Sequence, residues 1–192
     1  MNILTDSIRF DSEYGQLFET VKKNFKDKPL PVLAGGLCDG AADALCISMT
    51  EDTGPLRKKA PVLIVCPEEK ECLRIKQTFE RFGKRCAFYI ARDLTFHNIT
   101  ASHEYEHERL KVLSGILDEA FDAVVTTPDT SLGFTMPPET LIENSIVIDL
   151  DTVCEPSELA KRLVDAGYSR VDMVEGAGQF AQRGGIVDIY PP

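Results

Sequence analysis

The sequence predicts an α/β protein. A P-loop-like (degenerate) parallel-sheet domain spans residues 1–140, and a small α+β domain follows over residues 141–192. Three observations predict this. Short aliphatic runs alternate with amphipathic helical stretches through the first two thirds of the chain. A glycine-spaced loop, Gly35 to Gly40, stands between the first such run and the next helical stretch. The pattern then changes at Pro137-Pro138, and the remainder, about 50 residues, is a size marginal for folding alone.

Each element has its own signal. Tyr14, Leu17, Phe18, Val21 and Phe25 recur at helical spacing, so residues 11–26 read as a helix capped by Asp11 or Ser12. Pro29 and Pro31 stop it, and residues 31–34 read as a short strand. Residues 41–49 form a compact helix. The run 61–66 is a buried strand of aliphatic and β-branched residues. Cys72, Ile75, Phe79 and Phe82 share one face of a helix over 68–82, which Gly83 ends. A strand over 86–90 and a helix over 102–119, with Leu110, Leu113, Ile116 and Leu117 inward, lead to a strand over 122–126. Beyond the proline pair come a strand over 145–150, a helix over 156–166, and strands over 171–174 and 186–190. The connection between the last two carries Gly176, Gly178, Gly184 and Gly185.

Composition narrows the function. The 192 residues carry a net charge of -10, so a phosphate backbone repels the average surface, and a nucleic-acid-binding role is disfavoured. A damaged-DNA module would have to show salt-dependent duplex binding. No apolar run approaches the roughly 20 residues of a membrane span, and no signal peptide is read at the start. Cys38, Cys46, Cys66, Cys72, Cys86 and Cys154 form no C-x-x-C pair and read as reduced core residues of a cytoplasmic protein. The end at Pro191-Pro192, directly after a strand, reads as a cut within a longer protein.

Two motifs carry possible chemistry. Gly35 and Gly40 have the spacing of G-x-x-x-x-G-K-[ST], but Ala41 stands at the lysine position and Ala42 at the hydroxyl position. Alanine offers neither the charge that reaches the β- and γ-phosphates nor a ligand for Mg²⁺, and Asp39 adds a carboxylate where phosphates would sit. The expectation is no nucleotide site. A helicase-type ATPase is the alternative, checked by a nucleotide-induced shift in melting. Asp149, after an apolar run, reads as a strand end rather than a magnesium ligand. His103-Glu104-Tyr105-Glu106-His107 fits H-E-x-x-H, the zinc-peptidase pattern. A third ligand is lacking: His97 precedes the helix across a loop, and Glu119 lies about 18 Å along the axis. A solvated helix face is the favoured reading, and metal analysis is the check.

The most specific signal is the tail. Gly167-Tyr168-Ser169-Arg170-Val171-Asp172, followed by Gly178-Gln179-Phe180-Ala181-Gln182-Arg183-Gly184-Gly185-Ile186-Val187-Asp188-Ile189-Tyr190-Pro191, closely resembles the second domain of the transcription-repair coupling factor family and of its relative, the excinuclease B subunit. The residue pair Ala41 and Ala42 matches the coupling factors, whose first module resembles an inactivated copy of the excinuclease B front end. The resemblance implies a non-enzymatic module that recruits the excinuclease A subunit to stalled RNA polymerase. It implies that the ATP- and Mg-dependent motor and the polymerase and DNA contacts lie in other domains of the full protein, so that no cofactor is expected here. Carried over by position, Arg170 and Arg183 are the partner-binding arginines. Read from the residues themselves, Arg183 stands between Phe180, an aromatic anchor for a partner, and a glycine pair. A further arginine of the excinuclease B subunit falls at Ala181. Without the resemblance, the two arginines read as ordinary surface ion pairs, with Asp172 and Asp188 as local partners.

Overall fold

The computed structural model describes residues 7–8, 10–24, 31–38, 40–51, 61–91 and 104–192. The chain runs through α1 (Ser12–Asn24), α2 (Ala41–Thr50), β1 (Val62–Val65), α3 (Glu69–Arg81), β2 (Cys86–Phe88), α4 (Glu104–Leu117) and β3 (Ala123–Thr126). It continues through α5 (Pro128–Leu132), α6 (Pro138–Asn144), α7 (Pro156–Asp165), β4 (Ser169–Arg170), β5 (Gln179–Arg183) and β6 (Ile186–Tyr190). Two compact units result: Met1–Ile90 with Asp118–Ser131, and Ala91–Leu117 with Leu132–Pro192. The division therefore differs from a cut at residue 140. It falls nearer 131, and α4 groups with the second unit.

The first unit is built on a parallel sheet in the order β1-β3-β2. Central β3 buries all four of its residues, as an Ala-Val-Val-Thr run in a parallel sheet should. Helix α3 lays Cys72, Ile75 and Phe79 onto Ala123 and Val125, with Ile47 of α2 closing the same core. Its end is a Schellman turn: Gly83, at φ +73°, donates to Glu80, and Lys84 donates to Phe79 at 3.0 Å. Asp11 caps α1 by accepting from the backbone N–H groups of Glu13 and Tyr14.

The second unit packs α7 on a three-stranded sheet in the order β4-β5-β6. β4 is parallel to β5, and β5 is antiparallel to β6. Leu159, Ala160 and Leu163 of α7 meet Phe180 of β5, flanked by Ile146, Tyr168, Val187 and Ile189. The β5–β6 hairpin turns on Gly184-Gly185 alone, with Gly184 at φ +60°, a conformation favoured in two-residue hairpin loops.

Three expected strands differ in the structure. Residues 31–34 form no strand: Pro31 has no N–H to give a ladder, and Leu33 is 94% exposed. The loop Gly35 to Gly40 therefore does not follow a sheet strand. Residues 145–150 form no strand either. The Asp149 carboxylate accepts from the Asp151 N–H and the Thr152 hydroxyl, a local turn that competes with strand pairing. Of its apolar residues only Ile146 packs into the core, while Val147 and Leu150 are exposed. The strand over 171–174 is replaced by the two-residue β4 just before it, and the glycine-rich connection contains β5. Pro137 and Pro138, where the pattern changes, are the cap and first residue of α6, where proline loses no helical hydrogen bond.

The six cysteines are all free. Cys66, Cys72 and Cys86 are buried, Cys46 is partly so, and Cys38 and Cys154 are exposed rather than in the core. Burial pushes the thiols of Cys72 and Cys86 up to about 12, with the neighbouring Cys66 adding to the rise at Cys72. A thiol reagent at neutral pH should therefore modify Cys38 and Cys154 quickly in the native chain and the other four only on unfolding. Mass mapping of the labelled peptides checks this.

Candidate docking site

The glycine loop opens α2 without a cap side chain. Gly40, at φ +79°, is its N-cap residue, and the Ala41 N–H donates to the Cys38 carbonyl at 2.9 Å. One of the backbone donors that would face a phosphate is thus already used. Ala41 and Ala42 supply the first two helical positions, and Asp39 lies outside the described residues.

One turn on, Asp43 is buried, and its carboxylate is held by both terminal nitrogens of Arg74 from α3. Arg74 also forks onto Glu71, at 2.7 and 3.0 Å. This cluster was not anticipated from sequence, because Asp43 and Arg74 are 31 residues apart and nothing local pairs them. Its geometry is structural: the bidentate pair ties α2 to α3. Arg74→Ala should cost the first unit about 1.5–3 kcal/mol, since it strands a buried carboxylate. Arg74→Lys should recover only part, lacking the planar fork. Denaturant unfolding checks both. The Arg74 hydrogen bond holds the Glu71 carboxyl below its ordinary 4.5. Its contribution is therefore present above that value and fades as pH falls through the lowered one.

The H-E-x-x-H segment is only partly described. His97 and His103 lie outside the described residues, as does the side chain of Glu104; His107 sits on α4. Among the described residues, no three His, Cys, Asp or Glu side chains cluster as a metal site.

The three tail residues separate into two kinds. Phe180 is completely enclosed in the α7–sheet core. It is not a surface anchor; the alternation of β5 turns it inward. Arg170 and Arg183 do reach the surface. Arg170, on the edge strand β4, donates to Gln182 Oε1 at 3.4 Å. Arg183, at the end of β5, pairs with Asp188 at 2.8 Å, with 67% of its side chain exposed. The local partner of Arg170 is thus Gln182 rather than Asp172, whereas Asp188 does pair with Arg183.

The register adds a constraint. Arg170 is opposite Phe180, and Arg183 follows Phe180 by three residues. Side chains alternate along a strand, so the two arginines leave the sheet on opposite faces. Gln182 shares the face of Phe180 and Arg170, which is why it is the residue Arg170 reaches. Asp188 is opposite Ala181 and shares the face of Arg183. Ala181 itself is 1% exposed. Gln182 was missed from sequence because β5 was read as a connection. Its spacing of two from Phe180 would have found it.

Residues 146–192 match the family model of the UvrB interaction domain. The match covers Arg170, Arg183 and the whole α7–sheet unit. A stretch of 93 residues is 40% identical to the transcription-repair-coupling factor of Bacillus subtilis, taking in 47% of this chain and 8% of that protein. The transcription-repair-coupling factor of Escherichia coli is 24% identical over 169 residues, 84% of this chain and 14% of the relative. The chain is thus similar to the transcription-repair-coupling factors, and its residues 146–192 match the UvrB interaction domain. The UvrABC system protein B of Fusobacterium nucleatum is similar as well, 25% identical over 150 residues, 70% of this chain and 23% of that protein. The module thus spans less than a quarter of the length of each of these relatives. No described helix is long and apolar enough to cross a membrane.

Proposed function

We propose that this module is a non-catalytic docking element. It binds the excinuclease A subunit and thereby recruits nucleotide-excision repair to a stalled RNA polymerase. The observation that carries the reading is the UvrB interaction domain match over the segment that exposes Arg170 and Arg183. Guanidinium groups suit this role, because their fork engages a partner carboxylate bidentately. Their present contacts with Gln182 and Asp188 are solvent-exposed, and such contacts are worth little, so a desolvated acceptor can replace them. Because the arginines point to opposite faces, a partner that uses both must reach both faces of the sheet.

Catalysis is assigned elsewhere. The loop at Gly35 and Gly40, with Ala41 and Ala42, takes no nucleotide in this reading. ATP, Mg²⁺, RNA polymerase and DNA are handled by other parts of the longer protein, in the cytoplasm. Competition tests the reading. If this surface is the one an excinuclease B subunit offers, the chain should displace excinuclease B from excinuclease A. Simultaneous binding of both, without mutual effect, would contradict a shared surface.

A further inference from the structure

We propose that His107 is a positioning residue, whose imidazole packs into the space left by the missing side chain of Gly178 and locks the junction from which Arg170 is presented. A Cβ on Gly178 would lie 3.0 Å from both Cε1 and Nε2 of His107. Gly167, Gly184 and Gly185 have no such neighbour within 4 Å. Gly178 also sits at φ +74°, where other residues are strained. Backbone freedom and close approach therefore both require glycine there.

The junction matters because three strands meet at it. The Gly178 N–H donates to Tyr190 at the end of β6, at 2.8 Å, and the Gly178 carbonyl accepts from the N–H of Ser169 in β4, also at 2.8 Å. Ser169 immediately precedes Arg170. The turn before Gly178 is closed by Gln179, whose Oε1 accepts from the N–H groups of Glu175 and Gly176. A shift at Gly178 is thus passed to β4 through one hydrogen bond. His107 is the α4 side chain that limits such a shift. The second histidine of the H-E-x-x-H pattern accordingly has a packing role, with its Nε2 edge set against the turn.

The link to docking rests on the proposed role of Arg170; the lock itself does not. The test uses the full chain, amide hydrogen exchange, and binding to purified excinuclease A subunit. Gly178→Ala should speed exchange at the Ser169 N–H about tenfold, the scale of one residue forced into the left-handed region. The α7 amides should keep their protection, and binding should weaken. His107→Ala should loosen the same amide. The double variant should exchange no faster than Gly178→Ala alone, because the added methyl then has room. His107→Phe, which keeps a ring, should retain most of the protection and binding. Unchanged Ser169 exchange in His107→Ala, or effects of the two substitutions that simply add, would overturn the lock. If the lock variants loosen Ser169 while Arg170→Glu binds like the wild type, the lock stands and the docking role of Arg170 fails. If Gly178→Ala does not fold, the comparison of His107→Ala with His107→Phe decides.

Discussion

Phe180→Ala is expected to destabilise the second unit by about 3–5 kcal/mol, the range for removing a buried aromatic ring. Phe180 is fully enclosed and packs with the buried Leu159, Ala160 and Leu163. The cavity cannot be filled by a large neighbouring core, because a unit of this size has little surplus stability. Amides of α7, β5 and β6 should therefore lose protection together, while those of β1, β2 and β3 keep theirs. The substitution also separates two roles for this residue. A surface anchor would lose partner binding and keep its fold. A core residue loses both, since the arginines are no longer held on a sheet. Retained protection in Phe180→Ala would contradict the core assignment.

The second large effect is expected at the partner. Arg170→Glu with Arg183→Glu should weaken binding to the excinuclease A subunit by about 2–5 kcal/mol, the scale for losing one side of a buried charge pair. At about 1.4 kcal/mol per tenfold, that is at least a thirtyfold loss. The fold should survive, because both side chains are exposed and their present contacts are with Gln182 and Asp188. Glutamate at 183 would, however, face Asp188 as a like charge, so Arg170→Gln with Arg183→Gln serves as the milder control. Each single reversal should cost part of the affinity, since the residues lie on opposite faces and make separate contacts. A wild-type affinity in both single variants would remove the arginines from the interface.

Much of the fold was legible because it follows local rules. The face of Cys72, Ile75 and Phe79 gives α3, Gly83 gives its end, and the aliphatic runs give β1 and β3. What could not be read depends on partners distant in sequence. Ser145, Ile146, Val147 and Ile148 have the composition of a strand, yet the Asp149 turn and the lack of a ladder leave them unpaired. β5 was hidden because Gly178 and Gly184 look like a loop and are in fact the two boundaries of a strand. At the candidate site, the family resemblance points to Arg170 and Arg183, which residue type alone does not distinguish from ordinary surface ion pairs. Only the register shows that they face opposite ways, and only burial shows that Phe180 is core. The Asp43–Arg74 pair and the Gly178–His107 contact join elements far apart in the chain, and no periodicity announces them.

The most direct test of the central claim is calorimetric titration of the chain into purified excinuclease A subunit, beside the Arg170→Glu, Arg183→Glu variant verified as folded. Docking through the two arginines predicts a clear saturable signal for the wild type and its loss, by about thirtyfold or more in affinity, for the variant. Equal binding by both chains, or none by the wild type, would contradict it.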